Sequence, residues 1–117
     1  MADSKPTPPK GTRPGGKRLW AQVVGSFELD EHETALLIEA TRTVDLLDEL
    51  DAAVKLEGAV IDSPHGRKAH PAAVEARQQR ITLARLLAAL RLPAGEDAEQ
   101  PQRRGGVRAP YQLRAAK

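Results

Sequence analysis

The stretch "LDEHETALLIEATRTVDLLDELDAAVKLEG", residues 29–58, decides the fold. Asp30 followed three residues later by Glu33 is a capping-box arrangement, in which each side chain satisfies a backbone amide of the first turn. No Pro or Gly then interrupts the chain until Gly58, so the pattern predicts one long helix from about Asp30 to about Glu57. Ala40, Leu47 and Val54 recur every seven residues with Leu36 and Leu50 on the interleaved position, which makes a coiled-coil-like seam. Ala35, Leu46 and Ala53 form a second stripe on another flank. A helix of this kind is about 42 Å long at 1.5 Å per residue, more than a small three-helix bundle can cover. Part of it is expected to pack on another subunit.

On the N-terminal side, "GGKRLWAQVVGSF", residues 15–27, predicts a short helix from about Lys17 to Val24 that buries Leu19, Trp20, Val23 and Val24, with Gly25 as its stop. Trp20 and Phe27, the sole tryptophan and phenylalanine, are expected to anchor it to the long helix. On the C-terminal side, "AVIDSPHGRKAHP", residues 59–71, has a β-branched run, turn residues from Ser63 to Gly66 and a polar return, the signature of a small hairpin at about 59–70. Pro71 suits the first turn of a last helix, "HPAAVEARQQRITLARLLAALRLP", residues 70–93, ending near Leu92. On a helical wheel Ala72, Ala73, Ala76, Leu83, Leu86, Leu87 and Leu90 share one face, interrupted by Gln79 and Arg80. Arg77 and Arg85 flank a thinner opposite stripe of Val74, Ile81 and Ala88. Arg80, beside the packed face, is expected to pair with a carboxylate of the long helix, because an unpaired charge there would be costly.

The ends are of a different kind. Residues 1–14, "MADSKPTPPKGTRP", hold four prolines and almost no aliphatic surface, too little to offset chain entropy. They read as a disordered basic arm, residues 1–15, and residues 94–117 read as a flexible basic tail. The fold class is therefore mainly α: a short N-terminal helix, a long helix, a small β-hairpin and a final helix, forming a helical-hairpin core over residues 16–93. A core of roughly 75 residues buries only about 60–65% of its unfolded surface and is marginal alone, a deficit that oligomerisation repairs.

Several classes of function are disfavoured. The chain has no cysteine, which removes disulfides and thiolate chemistry. It shows no apolar leader at its N-terminus and no apolar run of membrane-spanning length, so it is expected to be soluble and not exported, with no membrane partner. There is no phosphate loop, no His-Glu-x-x-His pair and no nucleophile triad, and the ten carboxylates of residues 28–57 are spread around a helix rather than paired. His32 among Asp30, Glu31 and Glu33 reads as an acidic first helical turn, favoured by the helix dipole, in preference to a metal site. His65 and His70 read as a turn residue and a helix cap. No enzyme activity, cofactor or metal is expected.

Charge is segregated along the chain. Residues 1–19 carry five basic groups and one acidic, residues 20–57 two basic and ten acidic, and residues 58–91 six basic and two acidic. Three basic sets are candidates for phosphate contacts: Lys5, Lys10, Arg13, Lys17 and Arg18 on the arm and first helix; Arg67 and Lys68 on the hairpin return; and Arg103, Arg104, Arg108, Arg114 and Lys117 on the tail.

In their order and spacing these elements resemble the small subunit of a tailed-bacteriophage terminase. The resemblance rests on Leu19, Trp20, Leu29, Glu33, Leu36, Leu37, Ala40, Arg42 and Asp45, then Gly58, Gly66 and the last helix, and covers roughly residues 16–93. His70 stands where similar sequences usually place Asn, and the tail, with Glu96, Asp97 and Glu99, is longer than the usual Arg-rich ending. The resemblance implies a non-enzymatic component of viral genome packaging in the bacterial host cytoplasm. As a homo-oligomeric ring it binds the packaging initiation region of double-stranded phage DNA, and it recruits and regulates the large terminase subunit, the motor ATPase and nuclease. Rings need heterologous interfaces, for which Ala35, Leu46, Ala53, Val74, Arg77, Ile81 and Arg85 are the candidates. The alternative is a small helical protein–protein adaptor with an acidic docking helix and no specific DNA binding.

Overall fold

The long helix forms as its caps dictate. In a computed structural model that describes residues 5–92, it is α2, Glu31–Glu57, preceded by α1, Pro14–Ser26, and followed by β1, Val60–Ser63, β2, Gly66–Ala69, and α3, Pro71–Leu90. At the start of α2 the Asp30 amide donates to the Glu33 carboxylate at 2.8 Å, completing the capping box. At its end Gly58 takes φ 93°, a conformation that penalises a side chain, while its amide still donates to the Val54 carbonyl. The mainly helical class, with one antiparallel hairpin, is the architecture observed.

α1 is longer than its apolar residues alone predict. It starts three residues before Lys17, with Pro14 in the first turn, and runs through Gly25 to Ser26. Its capping residue Arg13 offers no side-chain cap; the cap comes from α2 instead. The Asp45 carboxylate accepts from the Gly16 amide and from the Arg13 amide, both at 2.8 Å, and so terminates α1 from a distant part of the chain. That approach requires glycine at Gly16, where a Cβ would lie 2.9 Å from the Thr41 carbonyl oxygen and 2.8 Å from the Asp45 carboxylate. Part of the segment expected as an arm is tied to the helices: the Trp20 indole donates to the Pro6 carbonyl at 3.0 Å, and the Thr12 hydroxyl to the Pro9 carbonyl.

The core lies at the end of α2 farther from the hairpin. Trp20, Val23 and Val24 of α1, Leu37 of α2 and Leu90 of α3 are buried together, with Leu19, Phe27, Leu36 and Leu87 packed around them. Trp20 and Phe27 thus act as the anchors expected of them. In the long helix the seven-residue seam is only part of what is covered. Ala40, Leu47 and, between Leu36 and Leu50, Thr43 are buried on the seam, with Leu36, Leu50 and Val54 half-buried, but Leu37 and Thr41 are buried as well. The reason is that α1 packs on a second flank of α2, through Thr41, Val44 and Asp45, beside the flank used by α3. The buried hydroxyls of both flanks are satisfied within the helix, Thr41 donating to the Ile38 carbonyl and Thr43 to the Glu39 carbonyl.

The hairpin pairs Val60 with Ala69, Ile61 with Lys68, Asp62 with Arg67 and Ser63 with Gly66, around Pro64 and His65. Its two strands pack on each other and on little else. Its base is closed by the His70 amide donating to the Ala59 carbonyl. His70 then takes the cap of α3: Nδ1 accepts from the Ala72 amide at 2.9 Å, so the neutral ring carries its proton on Nε2, which donates to the Glu57 carboxylate. One buried histidine therefore joins the end of α2 and the start of α3 through its ring and the hairpin through its backbone amide. The packed face of α3 is the one the wheel defines, with Ala76 and Leu90 buried and its other apolar residues half-buried.

Candidate nucleic-acid and subunit-contact surfaces

Lys5, Lys10, Arg13, Lys17 and Arg18 are all exposed. Lys17 and Arg18 follow directly on the first turn of α1, which holds no acid. Arg13 makes an exposed ion pair with Glu49 at 3.8 Å, whereas the Lys5, Lys10, Lys17 and Arg18 side chains make no ion pair among the described residues.

The hairpin set is separate from this one. Arg67 is held within its own hairpin by Asp62 at 3.5 Å and by the Val60 carbonyl at 3.3 Å. Lys68 is exposed and has no ion pair among the described residues. The hairpin follows the Glu57 end of α2, whereas the start of α1 is seated at Asp45, 12 residues earlier in that helix. Arg103, Arg104, Arg108, Arg114 and Lys117 lie outside the described residues.

Arg80 behaves as a partner for the acidic helix. Arg80 donates to both oxygens of Asp51, each at 2.8 Å, and so bridges α3 to α2. Arg77 and Arg85 are exposed and have no hydrogen-bond or ion-pair partner among the described residues. Between them Val74 is 46% and Ile81 43% exposed, high for branched aliphatic side chains on a packed helix. On α2 the corresponding stripe leaves Ala35 exposed, Leu46 38% exposed and Ala53 half-buried.

Two features of these surfaces were not singled out from sequence. Leu56 is 83% exposed, yet it continues the spacing of Leu46 and Ala53 by three residues, a signal that a full wheel would have caught. The capping role of Asp45 had no such signal, because its partners lie 29 and 32 residues away. A shallow groove of about 230 Å³ separates Pro9–Arg13 from Arg42, Leu46 and Glu49. It is small for a cofactor or substrate cleft.

Asp30, His32 and Glu33 bring ligand-type atoms within 4.8 Å of one another. Asp30 and Glu33 already serve the capping box, and His32 lies 4.0 Å from Asp30 at the surface, which accounts for the cluster without an ion. No helix among the described residues is long and apolar enough to cross a membrane. Comparison of the chain with protein-family models, with curated proteins and with solved structures yields no match.

Proposed function

We propose that this protein is a small terminase subunit. It assembles from copies of itself into a ring, binds double-stranded phage DNA at the packaging initiation region, and recruits and regulates the large subunit that carries the motor ATPase and nuclease. The reading places the protein in the host cytoplasm and gives it no catalytic step of its own. The observation that carries it is the coexistence of exposed cations on α1, without an ion pair among the described residues, with exposed apolar side chains on α2 and α3. Lys17 and Arg18 are exposed and make no ion pair among the described residues, which suits a polyanionic partner. The stripes suit a second copy.

The test is a DNA-binding titration with the full chain at two salt concentrations. Phosphate contacts predict a linear fall of log K with log salt, at a slope of roughly −0.9 for each phosphate neutralised. Lys17→Ala with Arg18→Ala should weaken binding across all sequences and flatten that slope by up to about 2. Absence of binding even at low salt would overturn the DNA reading and favour the adaptor with an acidic docking helix.

A further inference from the structure

We infer that the acidic stretch of the tail, Glu96, Asp97 and Glu99, docks on Lys5 and Lys17 of its own chain and competes with DNA for them; this rests on the reading of those cations as phosphate contacts. The tail has two chemically different halves. Residues 93–102 hold these three acids and no basic group, whereas residues 103–117 hold five basic groups and no acid. The second half suits a polyanion, but the first repels one and so opposes the proposed binding. Three carboxylates within four residues present to a lysine the same charge that a phosphate backbone does.

The described residues end beside those cations. Leu92 packs against the core cluster that Trp20, Val23 and Val24 of α1 help to build. Trp20 also donates to the Pro6 carbonyl at 3.0 Å, which fixes the backbone of Lys5 next to the same cluster. Lys17 lies three residues before Trp20 in α1, about 4.5 Å along the axis and about 60° around it. The acids follow Leu92 by four to seven residues, up to about 13–25 Å of extended chain, which spans the distance. Other charges leave the two lysines available. On the part of α2 that faces α1, Asp45 accepts from the Gly16 and Arg13 amides, Glu49 pairs with Arg13, and Glu39 with Arg42. Asp48 lies beside Gly15 and makes no ion pair among the described residues. The position of Leu92 also selects among cations. Arg85 lies about 140° around α3 from the buried Leu90, away from the face on which Leu92 packs, whereas Arg91, exposed and next to the tail, adds to the attraction.

The contact is tested first without DNA, by treating the full chain with a carbodiimide, which joins a carboxylate to an amine in direct contact with it. Mass spectrometry should find the stretch from Glu96 to Glu99 linked to Lys5 or Lys17, and in a mixture of isotope-labelled and unlabelled chains the links should join residues of one copy. Links that are absent, that run between copies, or that reach Lys55 and Lys68 equally overturn the docking. Competition is then read from the affinity for a short duplex DNA. Glu96→Gln with Asp97→Asn and Glu99→Gln should raise it about fivefold at low salt, the scale of a few exposed ion pairs, and the gain should shrink as salt rises. In a chain that also carries Lys5→Ala and Lys17→Ala the same neutralisation should gain little. Equal gains in the two backgrounds overturn the inference and point to Arg103 and Arg104 as the partners of the acids. A chain that binds no duplex in either form overturns the DNA reading and the competition together, and the cross-links tell that result apart from a failure of the docking alone.

Discussion

Replacing Asp45 by alanine removes the cap of α1 without touching α1 itself. The carboxylate accepts two backbone amides, from Gly16 and Arg13, each at 2.8 Å, and one of those amides is part-buried. Hydrogen bonds to a charged acceptor contribute about 1.5–3 kcal/mol each; the half-exposed setting of Asp45 holds the pair at or below the lower end of that range, at about 2–3 kcal/mol together. For a core of this size that corresponds to a fall in Tm of roughly 10–20 °C. Asp45→Asn retains an acceptor for one amide and should lose about half as much. Trp20, the sole tryptophan, lies buried in α1 and donates to Pro6, so its fluorescence during urea unfolding reports directly on the seating of this helix. The comparison must hold protein concentration fixed, because the proposed self-association would contribute to apparent stability. A loss below about 0.5 kcal/mol for Asp45→Ala would refute the cross-helix cap, since it is less than one neutral hydrogen bond normally contributes.

Other substitutions discriminate between neighbouring contacts. Gly16→Ala should destabilise by about 2 kcal/mol, because the added methyl meets the Thr41 backbone carbonyl. Gly15→Ala, whose new methyl meets mainly the end of the Asp48 side chain, should stay within about 1 kcal/mol of wild type once its gain in helix propensity is counted; equal effects at the two glycines would contradict this packing. His70→Ala loses both the cap of α3 and the Glu57 contact and should cost about 2 kcal/mol in urea unfolding, whereas His70→Asn keeps a capping acceptor and should cost about half of that. Arg80→Ala should cost about 1 kcal/mol, and a double-mutant cycle with Asp51→Ala should recover most of it as coupling; additive losses would deny the bridge.

The element order was legible because the punctuation is local. Asp30 and Glu33, Gly58, the turn from Ser63 to Gly66, and Pro71 each act within a few residues, and each boundary falls within about a residue of where that chemistry puts it. The face of α3 was legible for the same reason, since a helix of fixed period exposes its pattern directly. The pairing of Arg80 followed from charge counting together with its place beside that face. What could not be read was the seating of α1. Its early start depends on Asp45, a carboxylate contributed across 29 residues, and on two glycines that are small because another helix lies against them. The burial of Leu37 and Thr41 follows from that same contact and falls outside the seven-residue seam. Of the candidate contact residues, those on the outer stripes could be placed by periodicity. The basic groups could only be counted, because net charge says nothing about whether Arg67 is already engaged by Asp62.

The account stands or falls on assembly, and light scattering of the full-length chain over a range of concentrations tests it most directly. A closed head-to-tail ring predicts one mass, a fixed multiple of 12.7 kDa, that reaches a plateau and does not grow as concentration rises. A mass of 12.7 kDa throughout the micromolar range would contradict it.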